Sequence, residues 1–291
     1  MTYYPDYLTT YPNMDTANPL HISLNSLPGG FRRHRHNFLE FSYVIEGKGS
    51  ETVNGSRHAM EAGIFTFVLP YQTHELFTDP GETLKLYNCM FSMDLLLEGA
   101  GHSSLHGLLE DTATPPYVRL EGDNKIRMRH LVEDMYHEYN GNETWRNAML
   151  QLRLKEILIL FDRARRLSRG VEEELMEQRG GKRSSTWSII AYIHTQYQEE
   201  LTLSRLSQRF AMSASRISEV IKEATGQTFL QFLHDLRIRH ACGLLASTEL
   251  SVSEVALECG YGSYGTFSRV FRAVKGMAPK EYRTAIGKIQ C

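Results

Sequence analysis

SVSEVALECGYGSYGTFSRVFRAVKGMAPKEYR, running from Ser251 to Arg283, carries a helix signal at almost every boundary. Ser251 and Glu254 have the Ser-x-x-Glu spacing of a capping box, in which hydroxyl and carboxylate each satisfy an orphan backbone N–H of the other residue. Gly260 supplies the left-handed residue that ends this short helix, and Ser263 is placed to cap a second one. Within the second helix, Phe267, Val270, Phe271 and Val274 fall at i, i+3, i+4 and i+7, one apolar stripe turned toward a core. Its other face carries Tyr264, Thr266, Ser268, Arg269 and Arg272, a polar, cationic and aromatic surface that suits a DNA groove.

The same unit occurs earlier in the chain. Ile217, Val220, Ile221 and Ala224 make an identical stripe, displaced by 50 residues from the later one, and Ser213 stands where Ser263 does. A partner helix, Leu203 to Phe210, opens at Thr202, and its turn is one residue shorter, so the repeat is approximate. Two helix-turn-helix units follow. Between them Thr228 to Ala246 is helical in pattern, begins after Gly226 and has no interior proline, so it sets the spacing of the two units.

The tandem arrangement, the joining helix with Leu236, Arg237, Ala241 and Leu245, and the run EVALECGYGSYGTFSRVFRAVKGMAPKEYR resemble the DNA-binding domain of AraC-type (arabinose-regulator-like) transcription factors. The resemblance covers about the last hundred residues. It implies a DNA-binding regulator, cytoplasmic and on bacterial DNA, with RNA polymerase as a partner.

Charge and composition agree with a two-part chain. The 291 residues suffice for two domains, and 42% hydrophobic content is ordinary for globular protein. A net charge of −2 hides an asymmetry: Lys182 to Cys291 holds 14 Lys/Arg against 9 Asp/Glu, a net +5, which leaves 18 against 25, a net −7, for the front. An acidic front and a basic back fit a sensor joined to a nucleic-acid reader. Cys89, Cys242, Cys259 and Cys291 are scattered without metal or disulfide spacing, which points to a reducing compartment. Neither a signal peptide nor an apolar run of the ~18 residues a membrane span needs is present, so no membrane partner is expected.

At the front, residues 1–20 are rich in Tyr and Pro (Tyr3, Tyr4, Tyr7, Tyr11, Pro5, Pro12, Pro19), which disfavours helix and suggests an extended arm. From Ile22 to about Met93 the pattern switches to short β-rich runs divided by Gly and Pro, with Asn54-Gly55 as a hairpin turn. An antiparallel barrel or sandwich follows. HRHNFLEFSYVIEG, with His34, His36, Glu40 and Gly47, resembles the first sequence motif of the cupin barrel, and GIFTFVLPYQTHEL, with Gly63, Pro70 and His74, resembles the second; Gln72 stands where a glycine is usual. Sensor domains of AraC-type proteins are often of this fold, and several use the arm in ligand capture.

Positions 34, 36 and 40 share parity, so on one unbulged strand their side chains would enter the same barrel interior. With His74 from a neighbouring strand they make a three-His, one-carboxylate set of the type that binds a divalent transition metal. The same groups, with Arg32, Tyr43 and Tyr87, could instead contact a small-molecule effector such as a sugar, or form a satisfied polar cluster. All three readings stand at this point, and no cofactor is required by any motif.

Asn124 to Tyr139 and Glu143 to Leu167 read as an antiparallel helical hairpin, the second helix with Trp145, Met149, Leu152, Ile157, Leu160, Phe161 and Ala164 on its apolar face. In AraC-type proteins such a hairpin commonly carries dimer contacts, so a homodimer is expected. Ser168 to Thr186 is charged and Gly-containing and reads as a linker. The expected organisation is α+β in two domains: an arm (1–20), a cupin-like barrel with its hairpin (21–168), a linker (169–186) and an all-α tandem helix-turn-helix domain (187–291).

Recognition helices present their N-terminal turns to base edges. The expected DNA contacts are therefore Ser215, Arg216, Ser218, Glu219 and Lys222 on the first unit, and Tyr264, Gly265, Thr266, Arg269 and Arg272 on the second. Arg269 can bind guanine bidentately and Glu219 can accept from a cytosine amino group. Two such helices on one rigid spacer address adjacent major-groove segments about 34 Å apart. The function expected is a ligand-responsive transcription activator of carbohydrate-related genes, not an enzyme. The alternatives are a metal-dependent cupin enzyme fused to a DNA-binding domain, and a constitutive DNA-binding dimer with no effector. Catalytic triads and phosphate loops do not stand out, and His102 with His106 lies in a Gly/Ser-containing stretch without a motif.

Overall fold

A computed structural model describes residues 5–14, 16, 18–97, 105, 108, 114–176 and 185–287. Tyr3, Tyr4, His102, His106, Cys291 and residues 177–184 of the expected linker lie outside these residues. The chain divides into two compact units that meet in sequence between Arg183 and Ser184.

The first unit holds ten strands: β1 (Asp6–Leu8), β2 (Leu20–Leu27), β3 (Phe31–His36), β4 (Leu39–Glu46), β5 (Lys48–Val53), β6 (Ser56–Glu61), β7 (Ile64–Val68), β8 (Thr73–Thr78), β9 (Leu84–Phe91) and β10 (Tyr117–Arg119). They form two five-stranded sheets, ordered β1-β3-β8-β5-β6 and β10-β7-β4-β9-β2. All pairings are antiparallel except that of β1, within the tyrosine-rich arm, which lies parallel to β3. Asn54 and Gly55 close the β5–β6 hairpin with φ of 48° and 86°, the two positive angles a tight primed turn needs.

A one-turn helix, α1 (Asp94–Leu97), follows β9, and the hairpin is α2 (Gly122–Asn140) and α3 (Arg146–Met176). The hairpin covers the outer face of the second sheet: Phe161 packs on Phe65 and Phe67 at centroid distances of 4.9 and 5.9 Å. Burying one such side chain contributes about 1.5–3 kcal/mol. Of the expected apolar face of α3, Ile157, Leu160, Phe161 and Ala164 are buried, joined by Leu150, Leu154 and Leu158, whereas Trp145 is 79% and Leu152 62% exposed. The helix also starts later and runs past Leu167 to Met176, through residues assigned to a linker; the run Glu172 to Met176 is made of strong helix formers, and its one glycine, Gly170, costs only about 1 kcal/mol.

The second unit is helical: α4 (Ser185–Gln196), α5 (Leu203–Phe210), α6 (Ala214–Thr225), α7 (Phe229–Ser247), α8 (Val252–Glu258), α9 (Tyr264–Lys275) and α10 (Pro279–Gly287). Every expected cap is made. Thr202, Ser213, Ser251 and Ser263 each accept the backbone N–H three residues on, and Thr228 and Ser251 form full capping boxes. Cap to cap, the first helix-turn-helix takes 213−202=11 residues and the second 263−251=12, the one-residue difference read in the repeat. Phe267 and Phe271 are fully buried with Val255, Ala256, Ile238, Ala241 and Cys242. Val274, expected on the same stripe, is 45% exposed, because the last turn of α9 lies beyond this core.

Gly260 is required twice over. Its φ is +79°, and a Cβ there would stand 2.3 Å from the carbonyl oxygen of Gln198. Gly260→Ala should therefore destabilise the chain by more than about 1 kcal/mol, while Gly262→Ala, whose added Cβ meets nothing within 4 Å, should be close to neutral; thermal unfolding of the two variants measures the difference.

Candidate functional sites

The DNA-reading surface is built from α6 and α9. With Ile217, Val220 and Ile221 buried, α6 leaves Ser215, Arg216, Glu219 and Lys222 exposed and Ser218 half-buried. Arg216 lies 2.6 Å from the Glu219 carboxylate across one turn and 3.7 Å from Glu223. Both partners are about half exposed, so solvent screens the pair and it opens readily to a phosphate or base edge. On α9, Tyr264, Gly265, Thr266, Arg269 and Arg272 are all exposed. The Thr266 hydroxyl is engaged by the Ser263 hydroxyl at 3.1 Å, so this residue serves the cap as well as the surface. Arg269 and Arg272 make no ion pair among the described residues. The open space around Gly265 lets a ligand approach the helix closely.

In the first unit the expected cluster assembles by a route other than strand parity. His36 ends β3, and β4 begins at Leu39 in the opposite sheet, so Glu40 reaches the histidines across the space between the sheets rather than along one strand. His74 is opposite His34 in the β3–β8 ladder. One ligand atom from each of His34, His36, Glu40 and His74 lies within 4.8 Å of the others, and all four side chains are buried. The loop that delivers His74 turns at Tyr71, whose φ is 66°, and is closed by Gln72, whose side-chain oxygen accepts the Leu69 N–H at 2.9 Å. The carboxamide thus gives the turn without the usual glycine.

Three residues outside the sequence motifs complete the site. Glu51 accepts from His74 Nδ1 at 3.0 Å and lies 3.3 Å from His58 Nε2; His58 in turn meets the Thr66 hydroxyl at 3.1 Å. Asn88 donates to Glu40 at 2.8 Å. Burial alone would raise the Glu51 carboxyl, yet hydrogen bonds from His58 and His74 hold it at about 2. Burial and the neighbouring His74 push the His34 imidazole down to about 4, and burial drives His36 well below its usual value. Burial raises the Glu40 carboxyl. Burial lowers His74 too, but its bond to Glu51 and the charge of Glu40 override this and raise it. The donor set fits a divalent transition metal.

A cavity of about 400 Å³ opens between the sheets beside this cluster and is lined by His34, Glu40 and Asn88 together with Leu8, Leu24, Leu27, Phe31, Leu76, Leu86 and Met90. Three expected effector contacts are not brought to it. Tyr43 and Tyr87 emerge from the opposite face of their sheet, as the alternation of a strand requires. The Tyr43 hydroxyl donates to the Lys125 carbonyl at 3.2 Å, and the Tyr87 ring packs on Tyr136 at 5.3 Å. Arg32 is turned outward by a bulge between Phe31 and His34 and pairs with Asp6 at 2.6 Å.

Comparison with known proteins adds a family to this geometry. Residues 206–285 match a helix-turn-helix domain and residues 29–178, just over half the chain, match the AraC-like ligand binding domain. The HTH-type transcriptional activator RhaS of Enterobacter sp. (strain 638) is 25% identical over 267 residues, covering 91% of this chain and 92% of the relative. RhaS of Escherichia coli O81 (strain ED1a) is 24% identical over 254 residues, 87% of each chain. Among solved structures, the C-terminal domain of AraT, a response regulator from Geobacillus stearothermophilus, is 30% identical over 35% of this chain and 84% of its own, with a TM-score of 0.34. The described residues include no helix long and apolar enough to cross a membrane. With a ligand-binding barrel in front and paired helix-turn-helix units behind, the chain belongs to the AraC-like family of ligand-responsive, DNA-binding transcription regulators.

Proposed function

We propose that the protein is a cytoplasmic transcription activator that binds promoter DNA through α6 and α9 and answers a carbohydrate-related small molecule held in the cavity between its sheets. The observation that carries this reading is the pair of capped helices, each with its apolar stripe buried and its polar face exposed. Arg269 and Arg216 are the base-reading cations, with Lys222 and Arg272 on phosphates. The two RhaS relatives are named as activators, which supports activation, and recruitment of RNA polymerase is the step proposed to follow DNA binding. His34, Glu40 and Asn88 are the polar contacts proposed for the effector.

A second copy of the chain is proposed to pair through α3. Leu152 and Ile159, 62% and 39% exposed, stand seven residues apart, a spacing that places them on one stripe. Apolar groups of this size on an outward helix face are typical of a covered surface.

Arg269→Ala should weaken specific DNA binding by about 1–3 kcal/mol, read in a gel-shift titration; unchanged affinity would remove Arg269 from the reading face. Leu152→Asp should convert the dimer to monomer in sedimentation at an unchanged melting temperature of the monomer, since the position is already exposed.

A further inference from the structure

We infer that the cavity captures its small molecule through a divalent metal ion held by His34, His36, His74 and Glu40, and that the molecule offers two adjacent oxygen donors. This rests on the reading of the barrel as the effector sensor and adds the chemistry of recognition to it.

The hydrogen bonds settle which way the imidazoles present their lone pairs. His34 Nδ1 lies 2.9 Å from the Arg32 carbonyl, His36 Nδ1 2.8 Å from the Phe38 carbonyl and His74 Nδ1 3.0 Å from the Glu51 carboxylate. Carbonyl and carboxylate oxygens only accept, so each Nδ1 carries a proton and each neutral ring presents a lone pair at Nε2. Three lone pairs and the Glu40 carboxylate thus meet in one space, and with no proton among them none can satisfy another. Nε2 of both His36 and His74 is buried without a hydrogen-bond partner. Outward-facing Nδ1 donors held by a carboxylate or carbonyl are the arrangement that fixes metal-binding imidazoles. Donors at about 2.1 Å from one ion stand at most about 4.2 Å apart, so this set, within 4.8 Å, closes on an ion with small side-chain shifts.

The ligand class follows from what four donors leave over. A six-coordinate ion such as Mn²⁺, Fe²⁺, Co²⁺ or Ni²⁺ keeps two positions. His36 and His74 are 0% and 1% exposed, whereas His34 and Glu40 border the cavity, so the open side of the ion faces the cavity. Two such positions on the cavity side would suit a chelating pair of oxygens: a vicinal diol, an α-hydroxy acid or a catechol. Sugars and sugar acids fall in this class. Beyond the ion the wall is mixed, with Leu27, Phe31 and Leu86 placed against apolar parts of the molecule and Asn25, Ser26 and Asn88 against its polar groups.

The test uses the full-length chain stripped with a chelator, titrated with Co²⁺ and followed by visible absorption and thermal unfolding. One Co²⁺ per chain should bind and raise the melting temperature. Glu40→Gln should abolish the absorption bands, and Glu51→Gln, which among the four ligands touches only His74, should weaken Co²⁺ binding about 10–100-fold. Melting of both variants without metal checks that they fold. Catechol should then shift the Co²⁺ spectrum and bind only the loaded protein, while phenol, with the same ring and one oxygen, should not. Failure of the folded protein to bind Co²⁺, or catechol binding that ignores the metal, overturns the inference. If a sugar raises the melting temperature of the stripped protein, the metal is dispensable: the inference fails and the sensor reading survives. If Co²⁺ and catechol bind while neither they nor any sugar alters DNA affinity in gel shifts, the sensor reading fails and takes the inference with it.

Discussion

The DNA-binding unit depends on one buried cation. Arg237, on the joining helix α7, is 8% exposed and donates to the carbonyls of Tyr197 and Glu199 at 2.7 and 2.8 Å. Its guanidinium also lies over the ring of Tyr261, 5.3 Å from the centroid, and that tyrosine sits in the turn of the second helix-turn-helix. Gly260, the preceding residue, closes on the carbonyl of Gln198 in the same segment. The chain from Tyr197 to Glu199 is thereby gripped by α7 and by the second turn at once. Removing the guanidinium would take a donor from the carbonyl of the buried Tyr197, a cost of about 1–3 kcal/mol, while the Glu199 carbonyl would keep only the Leu201 N–H at 2.9 Å. The two recognition helices consequently share one rigid support, the condition for addressing two groove segments in fixed register.

In the sensor unit the corresponding constraint is the two-residue period of the strands. β4 and β9 each send one set of side chains between the sheets and the other beneath the helical hairpin. Glu40 and Asn88 therefore meet each other at the cavity, while their neighbours Phe41 and Cys89 are buried on the helix side. Tyr43 and Tyr87 belong to the second set, and this removes them from the cavity although their residue type suits a sugar.

Local signals carried the C-terminal unit. Caps, turns and a stripe at helical spacing are properties of short windows, and each of Thr202, Ser213, Thr228, Ser251 and Ser263 acts as its spacing says it should. Non-local geometry limited the rest. His34, His36, Glu40 and His74 were recognisable as a set, but the parity argument placed the first three on one strand, and the structure puts Glu40 on the opposite sheet from the histidines. Glu51, His58 and Asn88 belong to no motif; they join the site because β5, β6 and β9 fold beside it, and pairing of that kind leaves no mark in a single sequence. The first turns of α3 differ for a related reason: Ile157, Leu160, Phe161 and Ala164 are buried as their spacing says, but tertiary packing decides which residues of the first turns face inward, and there Leu150 and Leu154 are buried in place of Trp145 and Leu152.

The same alternation that misled the reading of Tyr43 and Tyr87 ties the cavity to the hairpin. Adjacent residues on a strand lie about 3.3 Å apart and move together. A ligand that draws Glu40 toward the cluster displaces Phe41 and Tyr43 beside it, and those rings pack in an aromatic layer, Phe41 on Phe65 at 5.0 Å and Phe65 on Phe161 of α3 at 4.9 Å. Close-packed layers of this kind transmit displacement instead of absorbing it. A ligand shifts such a system only to the extent that it binds one arrangement better than the other. An ion or ligand gripped by donors from both sheets satisfies that condition, because its affinity depends on the distance between the sheets, whereas a molecule resting on one wall alone would bind either arrangement equally and report nothing.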